Sequence, residues 1–237
     1  MRERSSSAPT RTLPRRATFT VDLVLLAPRG KHLSVLLART ASNGTKERWL
    51  LPCDGPKKGE TVEAVARRIM RSVAGGDVAW FEQAGAFGVS KRHAVNADVS
   101  ICFIGVVPAR TAAAQGFEWQ VVGDLPQLPA RQADMVESAL ATLRDRLDYA
   151  PVAFRLLPAE FTLSELQQTY EMLIGRRLHK ASFRRALQAA WLVEPTDEWR
   201  SEGRGRPAQL FRYAPRRRRG NRRGVRFDLL GESRTRA

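Results

Sequence analysis

The fold of the first half of the chain is decided by the stretch LLPCDGPKKGETVEAVARRIMRSVAGG, which spans residues 50–76. Apolar residues recur in its second part at the spacing of one helical face: Val62, Val65, Ile69 and Val73. This spacing predicts an amphipathic helix over 61–74, preceded by a polar loop rich in Gly and Lys. A helix with one apolar face needs a partner layer, so a sheet is expected on either side of it in the chain.

Several residues of this stretch resemble the Nudix box, whose pattern runs Gly, five residues, Glu, seven residues, then Arg-Glu-apolar-x-Glu-Glu-x-Gly. The matching positions are Leu51, Pro52, Glu60, Arg68 and Gly75. Asp54 stands where the first glycine belongs. The glutamates that should follow the arginine are replaced by Ile69, Ser72 and Val73. The resemblance implies a Nudix-like domain whose box is degenerate.

The replaced glutamates decide the expected chemistry of the domain. Nudix hydrolases resemble one another in using that cluster to hold a divalent metal against a diphosphate, and hard cations need several oxygen ligands. Glu60 and Glu63 alone provide few carboxylate ligands for a divalent metal. We therefore predict that the chain is not an enzyme and has no catalytic residue, cofactor or metal. An active Nudix hydrolase of a nucleoside diphosphate derivative is the alternative, and a plain amphipathic helix is the simplest interpretation.

The charge of the chain indicates a polyanionic partner. Its 237 residues contain 40 Lys and Arg against 24 Asp and Glu, for a net charge of +16. Such an excess favours nucleic acid or an acidic membrane surface as the partner. The sequence has no apolar run of about 18 residues, so no transmembrane helix is predicted. The N-terminus lacks the apolar segment of a secretory signal, which predicts a cytoplasmic, nucleoid-associated protein.

Cysteine and histidine usage argues against a disulfide framework and against zinc. The residues concerned are Cys53, Cys102, His32, His93 and His179. Two cysteines cannot form a framework, and nothing pairs them with histidines at metal-ligand spacing. Free thiols and no zinc site are therefore expected.

The first half of the chain predicts an α+β fold with a Nudix-like mixed sheet and flanking helices. Residues 1–17 are polar and basic, which predicts a disordered N-terminus. Strand-like runs are expected at 18–28, 33–39, 78–87, 99–107 and 117–122. A helix is expected at 130–149. These elements delimit a Nudix-like effector domain over 18–149.

The second half predicts a winged helix-turn-helix domain over 150–214. Helical stretches at 161–174 and 180–191 are joined by a short turn, and Thr162 with Glu165 forms a Thr-x-x-Glu capping box. Leu178 is the one apolar residue of the turn. The inward positions of the second helix are predicted to be Phe183, Leu187, Ala190 and Trp191. Strand-like ends at 192–194 and 209–213 flank a Gly/Arg loop, which is typical of a wing. A plain helical hairpin packed on the first domain is the alternative.

The whole arrangement resembles the NrtR family of bacterial transcriptional regulators. The residues that carry the resemblance are Leu156-Leu157-Pro158, Phe161-Thr162-Leu163, Glu165-Leu166-Gln167, Tyr170-Glu171, Phe183-Arg184-Arg185, Gly205-Arg206-Pro207-Ala208-Gln209-Leu210, Trp119 and Leu125-Pro126. The resemblance implies a repressor of NAD-metabolism or related genes that binds a palindromic operator in double-stranded DNA as a homodimer. Its Nudix-like domain would sense a nucleotide effector, typically ADP-ribose.

The chain departs from the family pattern in three places. The family's RDPRG-type loop is replaced by VSKRHAVNA at 89–97, and the family's Asp-His pair reads Arg131-Gln132. An expected Arg-Asn in the recognition helix reads Ala181-Ser182. The first two departures leave open the alternative that the chain is a DNA-binding regulator without an effector. The third affects which operator sequence the chain would recognise.

The sequence predicts two sets of binding residues. The predicted DNA-binding residues are Thr162, Lys180, Ser182, Arg184, Arg185, Gln188, Arg204 and Arg206. A nucleotide diphosphate would be held by Arg39, Arg68 and Arg92, although Arg68 has a structural alternative as an ion-pair partner of Glu60. The Arg-rich tail 215–237 is expected to be a disordered DNA arm that steepens the salt dependence of binding. An RNA-binding or nucleoid-associated protein is a further alternative.

Overall fold

The structure is a computed structural model that describes residues 17–42, 45–75, 78–88, 93–148, 150–201 and 207–214. Several of the sequence predictions fall outside these ranges. They concern the N-terminal segment 1–16, Arg92, Arg204, Arg206 and the tail 215–237.

The first half forms a seven-stranded mixed sheet. Its strands are β1 (Phe19–Arg29), β2 (His32–Ser42), β3 (Thr45–Leu50), β4 (Cys53–Asp54), β5 (Trp80–Phe87), β6 (Val99–Val106) and β7 (Phe117–Val121). The order is β3-β2-β1-β6-β5, with β4 also on β1 and β7 also on β2. Only the β1–β6 pair is parallel among the described strand pairs. Strand β1 is central and covered on both faces, and its sequence is accordingly an almost continuous run of apolar residues. The predicted mixed sheet is confirmed.

Helix α1 (Val62–Ala74) covers one face of this sheet. It begins where the Thr61 side chain accepts a hydrogen bond from the Ala64 N–H at 3.2 Å. It ends at Gly75, whose φ of 53° lies in the left-handed region that a residue without Cβ adopts at no steric cost. Val65 and Val73 are buried in the apolar cluster that joins the helix to β1. The helix predicted from the spacing at 61–74 is therefore present.

The opposite face carries α2 (Ala130–Leu147), and the winged helix-turn-helix follows. Its elements are α3 (Val152–Arg155), β8 (Glu160–Thr162), α4 (Leu163–Ile174), α5 (Lys180–Ala190), β9 (Val193–Arg200) and β10 (Ala208–Tyr213). The three strands form a second sheet in the order β8-β10-β9. In the part of the chain that the structure describes, no helix is long and apolar enough to cross a membrane.

Three short elements correct the sequence prediction. The segment 160–162 is strand β8, paired with β10, so α4 begins at Leu163 and not at Phe161. The two-residue strand β4 and the four-residue helix α3 were not predicted at all. Elements this short leave no periodic signal, because their conformation depends on pairing or packing with distant parts of the chain.

The two predicted domains share one continuous apolar core. Leu143 and Leu147 near the end of α2 belong to the same buried cluster as Phe161, Tyr170 and Leu187 of the winged helix-turn-helix. Phe154 of α3 packs within the winged helix-turn-helix part of this core, where its ring lies 5.9 Å from that of Phe161 and 6.2 Å from that of Tyr170, centre to centre. Burial raises the pKa of the Tyr170 phenol, which keeps it neutral within this core.

Candidate DNA-binding surface and effector domain

The first helix of the helix-turn-helix is fixed at both ends. Thr162 Oγ1 accepts a hydrogen bond from the Glu165 N–H at 3.1 Å, and the Glu165 carboxylate accepts one from the Thr162 N–H at 2.7 Å. This confirms the predicted capping box. Gly175 ends the helix with a φ of 80°. With both ends fixed, α4 can act as a rigid support for the helix that follows.

The turn between α4 and α5 is held from the side of α4. Leu178 is buried, with 2% of its surface exposed, as predicted for the apolar residue of this turn. Its N–H donates to the Glu171 carboxylate at 3.0 Å, and its carbonyl accepts from the Gln167 side chain at 3.0 Å. Since both backbone groups are paired, the direction in which α5 leaves the turn is determined.

Helix α5 presents a polar, basic face to solvent. Phe183 and Leu187 on its inner side are fully buried. Four of the predicted DNA-binding residues are exposed on the other side: Lys180, Arg184, Arg185 and Gln188. Lys180, Arg184 and Gln188 follow one another at intervals of four residues, so they form one line along the helix. The structure therefore groups these side chains as a helix entering a DNA groove would require.

Two predicted DNA-binding residues have structural roles. Ser182 is half-buried, and its hydroxyl lies 3.1 Å from Nδ1 of His179, the N-cap residue of α5. Thr162 is 4% exposed, with its hydroxyl in the capping box. Both hydroxyls are thus engaged within the protein, and their contact with DNA stays a prediction.

Trp191 departs from its predicted position. It was placed on the inner face of the second helix, yet 52% of its surface is exposed. The helix ends at Ala190, and Trp191 has a φ of 51° as the C-cap residue. The left-handed conformation takes its side chain out of the helical spacing from which the prediction was made.

The wing is anchored to the start of α4. Strands β9 and β10 are antiparallel. From the end of β9, Arg200 Nη1 donates to Glu165 Oε1 at 2.8 Å and Nη2 donates to the Glu160 carbonyl at 3.3 Å. Glu165 therefore caps α4 with one oxygen and holds the wing with the other. Trp199 beside this anchor is 55% exposed.

In the Nudix-like domain, Arg68 is an ion-pair partner of the acids that precede α1. Its Nε donates to Glu60 Oε1 at 2.8 Å, its Nη1 to Asp54 Oδ2 at 2.5 Å, and its Nη2 to the Gly55 carbonyl at 3.0 Å. The Arg68 guanidinium lowers the pKa of Glu60 to about 2 and also lowers that of Asp54. The structure thus supports the structural alternative for Arg68, whose donors hold the loop before the helix.

Arg39, the second described member of the predicted ligand set, is also paired. It lies on β2, with Nη1 3.2 Å from Glu118 Oε1 and the guanidinium 5.9 Å from the Trp49 ring centre. Both side chains of the ion pair are about half exposed, so the pair is open to exchange with a ligand. Both described arginines of the predicted ligand set are therefore engaged by acids of the protein, and their binding of a diphosphate stays a prediction.

The three substituted positions of the Nudix box differ in whether their side chains face the core or solvent. Ile69 and Val73 are 4% and 3% exposed and pack within the cluster on β1. Ser72 is exposed, and its hydroxyl donates to the Ile69 carbonyl at 2.7 Å. Of the two remaining acids, Glu63 pairs with Arg67 at 2.8 Å, whereas Glu60 pairs with Arg68 as described above. Two box positions are therefore part of the apolar core, and both acids have arginine partners.

A buried polar cluster lies between the sheet and α2. Asp22 Oδ1 is 2.8 Å from His93 Nε2 and accepts a hydrogen bond from Gln132 Nε2 at 3.0 Å. Asp22 Oδ2 accepts from the Thr20 hydroxyl at 2.9 Å. Gln132 also accepts from the Leu51 N–H at 3.0 Å, which links α2 to the start of the Nudix-box stretch. The cluster gives a role to Gln132, one of the residues at which the chain departs from the family pattern.

Cys53 adjoins this cluster, which corrects the sequence prediction about metal ligands. Asp22, Cys53 and His93 each offer one ligand atom, and these atoms lie within 4.8 Å of one another. Spacing along the sequence pairs no cysteine with a histidine, but the fold brings Cys53 close to His93, which is far from it in the chain. Burial and the nearby carboxylates of Asp22 and Asp54 raise the pKa of the Cys53 thiol to about 12.

Comparisons with known proteins agree with the arrangement of the two halves. The family model described as the NrtR DNA-binding winged helix domain matches residues 153–213. The chain is 28% identical over 205 residues to the ADPR responsive transcriptional repressor NtrR of Acinetobacter baylyi, covering 83% of this chain and 82% of that protein.

Solved structures show the same architecture. NrtR of Shewanella oneidensis, crystallised with a 27mer DNA, is similar with a TM-score of 0.69 and 28% identity, over 83% of this chain and 94% of that one. A MutT/nudix family protein of Enterococcus faecalis has a TM-score of 0.66 at 17% identity, over 84% and 89% of the two chains, and shows the fold alone. Together with the capped helix pair, the anchored wing and the Nudix-like sheet, these matches make the chain similar to NrtR transcriptional regulators over most of its length, and its residues 153–213 match the winged helix domain of that family.

Proposed function

We propose that this protein is a DNA-binding transcriptional repressor whose winged helix-turn-helix binds a palindromic operator as a homodimer. The observation that carries the proposal is the exposed basic face of α5, held on a capped α4 within the part of the chain that matches the NrtR winged helix domain. Its targets would be NAD-metabolism or related genes. Its Nudix-like domain would sense ADP-ribose or a similar nucleotide, as the name of the Acinetobacter relative suggests.

The chemistry of the α5 face favours duplex DNA. Arg184 or Arg185 can donate two parallel hydrogen bonds to a guanine edge in the major groove, and Gln188 can pair with adenine in the same groove. Lys180 lies in the first turn of the helix, where exposed N–H groups also attract phosphates. In this proposal the wing tip adds phosphate contacts through Arg204 and Arg206.

Helix α2 is our candidate for the element that couples the two domains. Gln132 at its start belongs to the buried polar cluster, whereas Leu143 and Leu147 at its end belong to the core shared with the winged helix-turn-helix. Its 18 residues span about 27 Å, since each helical residue adds about 1.5 Å. An effector that favours one position of α2 would thereby favour one orientation of the DNA-binding helices.

We further propose that the Nudix-like domain does not hydrolyse its ligand. The positions of Ile69 and Val73 in the apolar core support this, because carboxylates are absent where the box needs them. The ion pairs Glu60–Arg68 and Glu63–Arg67 also support it, since they occupy the two remaining acids. Magnesium-dependent release of product from ADP-ribose by the purified protein would favour the hydrolase alternative.

The proposal is tested by fluorescence anisotropy with DNA from upstream of the protein's own gene and its neighbours. We expect tight binding to one palindromic segment, with two chains per duplex, and weaker binding to random DNA of equal length. Adding ADP-ribose should release the protein from that segment. A double Ala variant at Arg184 and Arg185 should lose operator binding. A matched Arg110→Ala variant, which removes an exposed arginine of the Nudix-like domain, should not. Equal affinity for every duplex would refute sequence-specific regulation.

A further inference from the structure

Three potential metal ligands converge on the central strand of the sheet. Asp22 of β1 and Cys53 of β4 are partners in the antiparallel β1–β4 pair, so their side chains emerge on the same face. His93 reaches them from the segment that precedes β6. One oxygen, one sulfur and one nitrogen ligand atom lie within 4.8 Å of one another.

The surroundings of these side chains already fix their orientation. The side chains of Asp22 and His93 are fully buried, and their ligand atoms are 2.8 Å apart. Thr20 holds the second oxygen of Asp22 at 2.9 Å, and Gln132 donates to the first at 3.0 Å. Partners of this kind behind a ligand set orient the ligands, and their loss typically weakens metal binding about 10–100-fold.

The donor set fits zinc better than magnesium. Zn²⁺ takes thiolate, imidazole and carboxylate ligands at about 2.0–2.3 Å in a tetrahedron, whereas Mg²⁺ demands six oxygens. Ligand atoms around a tetrahedral zinc are therefore about 3.3–3.8 Å apart. The Asp22–His93 distance of 2.8 Å has to open by less than about 1 Å to reach this range.

We propose that Asp22, Cys53 and His93 form a Zn²⁺ site, with water in the fourth position. On binding, the Cys53 thiol releases its proton to solvent and its thiolate bonds to the ion, so that thiolate and carboxylate together neutralise the two positive charges. The neutral imidazole of His93 coordinates through Nε2 and carries its proton on Nδ1. Because Nδ1 accepts the Val95 N–H at 3.2 Å in the metal-free protein, the turn that begins at His93 shifts on binding.

Arg131 is a buried cation in the same region of the fold. Although 3% exposed, it donates to the Ala97 carbonyl at 2.8 Å and to the Ser100 hydroxyl at 3.3 Å. Ser100 and Thr20 lie between it and the Asp22 carboxylate, with their hydroxyl oxygens 3.1 Å apart. The Gln132 amide is the group beside the ligand atoms, with its Nε2 3.0 Å from Asp22 Oδ1 and 3.4 Å from His93 Nε2, so it has to turn away when the ion enters.

The chain offers a matched pair of variants, because Cys102 is its second cysteine and lies on β6 outside the ligand group. Chelator-washed full-length protein is titrated with Zn²⁺ against a chromophoric chelator, and with Co²⁺ to observe thiolate-to-cobalt charge-transfer absorption. We expect one tightly bound ion per chain in the wild type and in Cys102→Ala. Cys53→Ala should lose the charge-transfer band and at least about a hundredfold in zinc affinity, since it removes a direct ligand.

Thiol alkylation of the unmodified protein gives a second test that does not depend on the folding of a variant. Saturating Zn²⁺ should slow alkylation of Cys53, as followed by peptide mass spectrometry, while buried Cys102 serves as the internal reference. Equal zinc affinity in Cys53→Ala and the wild type would overturn the proposal, and so would unchanged alkylation of Cys53. Zinc binding and DNA binding are measured in separate assays, so failure of one proposal does not affect the other.

Discussion

Replacing Glu165 with Ala should loosen both the start of α4 and the wing. The Glu165 carboxylate accepts the Thr162 N–H at 2.7 Å and the Arg200 guanidinium at 2.8 Å. Loss of the capping hydrogen bond should cost about 1 kcal/mol. The ion pair is about a third exposed on each side, so it should add only about 0.2–1 kcal/mol. The expected loss in the free energy of unfolding is therefore about 1–2 kcal/mol.

The measurement is chemical denaturation of the full-length protein, followed by circular dichroism. Glu165→Gln serves as an intermediate variant, because its amide oxygen can still cap the helix while the charge facing Arg200 is gone. It should lose about 0.5 kcal/mol. Glu63→Ala is the matched control, since it removes an exposed partner of Arg67 one helical turn away and should cost about 0.3–0.5 kcal/mol.

The same substitution should weaken operator binding, because Arg200 would no longer fix the wing against α4. A double-mutant cycle between Glu165→Ala and Arg200→Ala should give a coupling energy of about 0.5 kcal/mol in stability. If Glu165→Ala costs no more than Glu63→Ala and the coupling is zero, the carboxylate holds neither the cap nor the wing, and our reasoning about this anchor is wrong.

Three further predictions concern α5 and the Nudix-box helix. Arg184→Ala should cost about 1–3 kcal/mol in binding to the operator if this arginine contacts a base, whereas an equal loss on random DNA would identify a phosphate contact. Ile69→Glu should lower the free energy of unfolding by at least about 3 kcal/mol, because it places a carboxylate in the apolar core, and Ser72→Glu on the exposed side should change it by less than about 0.5 kcal/mol. The pKa of Glu60, about 2, lies below its ordinary 4.5, so its pairing with Arg68 stabilises the fold above pH 4.5 and this contribution is lost as the pH falls toward 2. Denaturation midpoints of Glu60→Gln and the wild type should therefore differ at pH 6, approach each other as the pH falls toward 2 and converge below pH 2.

The sequence predicted best those elements whose signals lie within a few neighbouring residues. The helices α1, α4 and α5 follow from apolar spacing, and the Thr162–Glu165 capping box follows from a four-residue motif. The burial of Leu178 follows from its being the one apolar residue in a polar turn. Helical periodicity and capping are properties of neighbouring residues, so no knowledge of the rest of the chain was needed.

Other features were decided by contacts between distant segments. Strand β8 exists because it pairs with β10, which follows it by two helices and a strand. The ion pair between Arg200 and Glu165 depends on the same sheet. Trp191 is exposed because the helix ends one residue before it, and apolar spacing cannot locate a helix end that closely.

Local motifs were enough to identify a Nudix-like half with a depleted glutamate cluster and a basic winged helix-turn-helix, because each motif consists of residues close together in the chain. The tertiary structure was needed to show that Arg68 is engaged by both Glu60 and Asp54, and that the two halves share one apolar core. It also brought Asp22, Cys53 and His93 together. A β-sheet places residues side by side through strand pairing, which depends on register and not on separation along the chain.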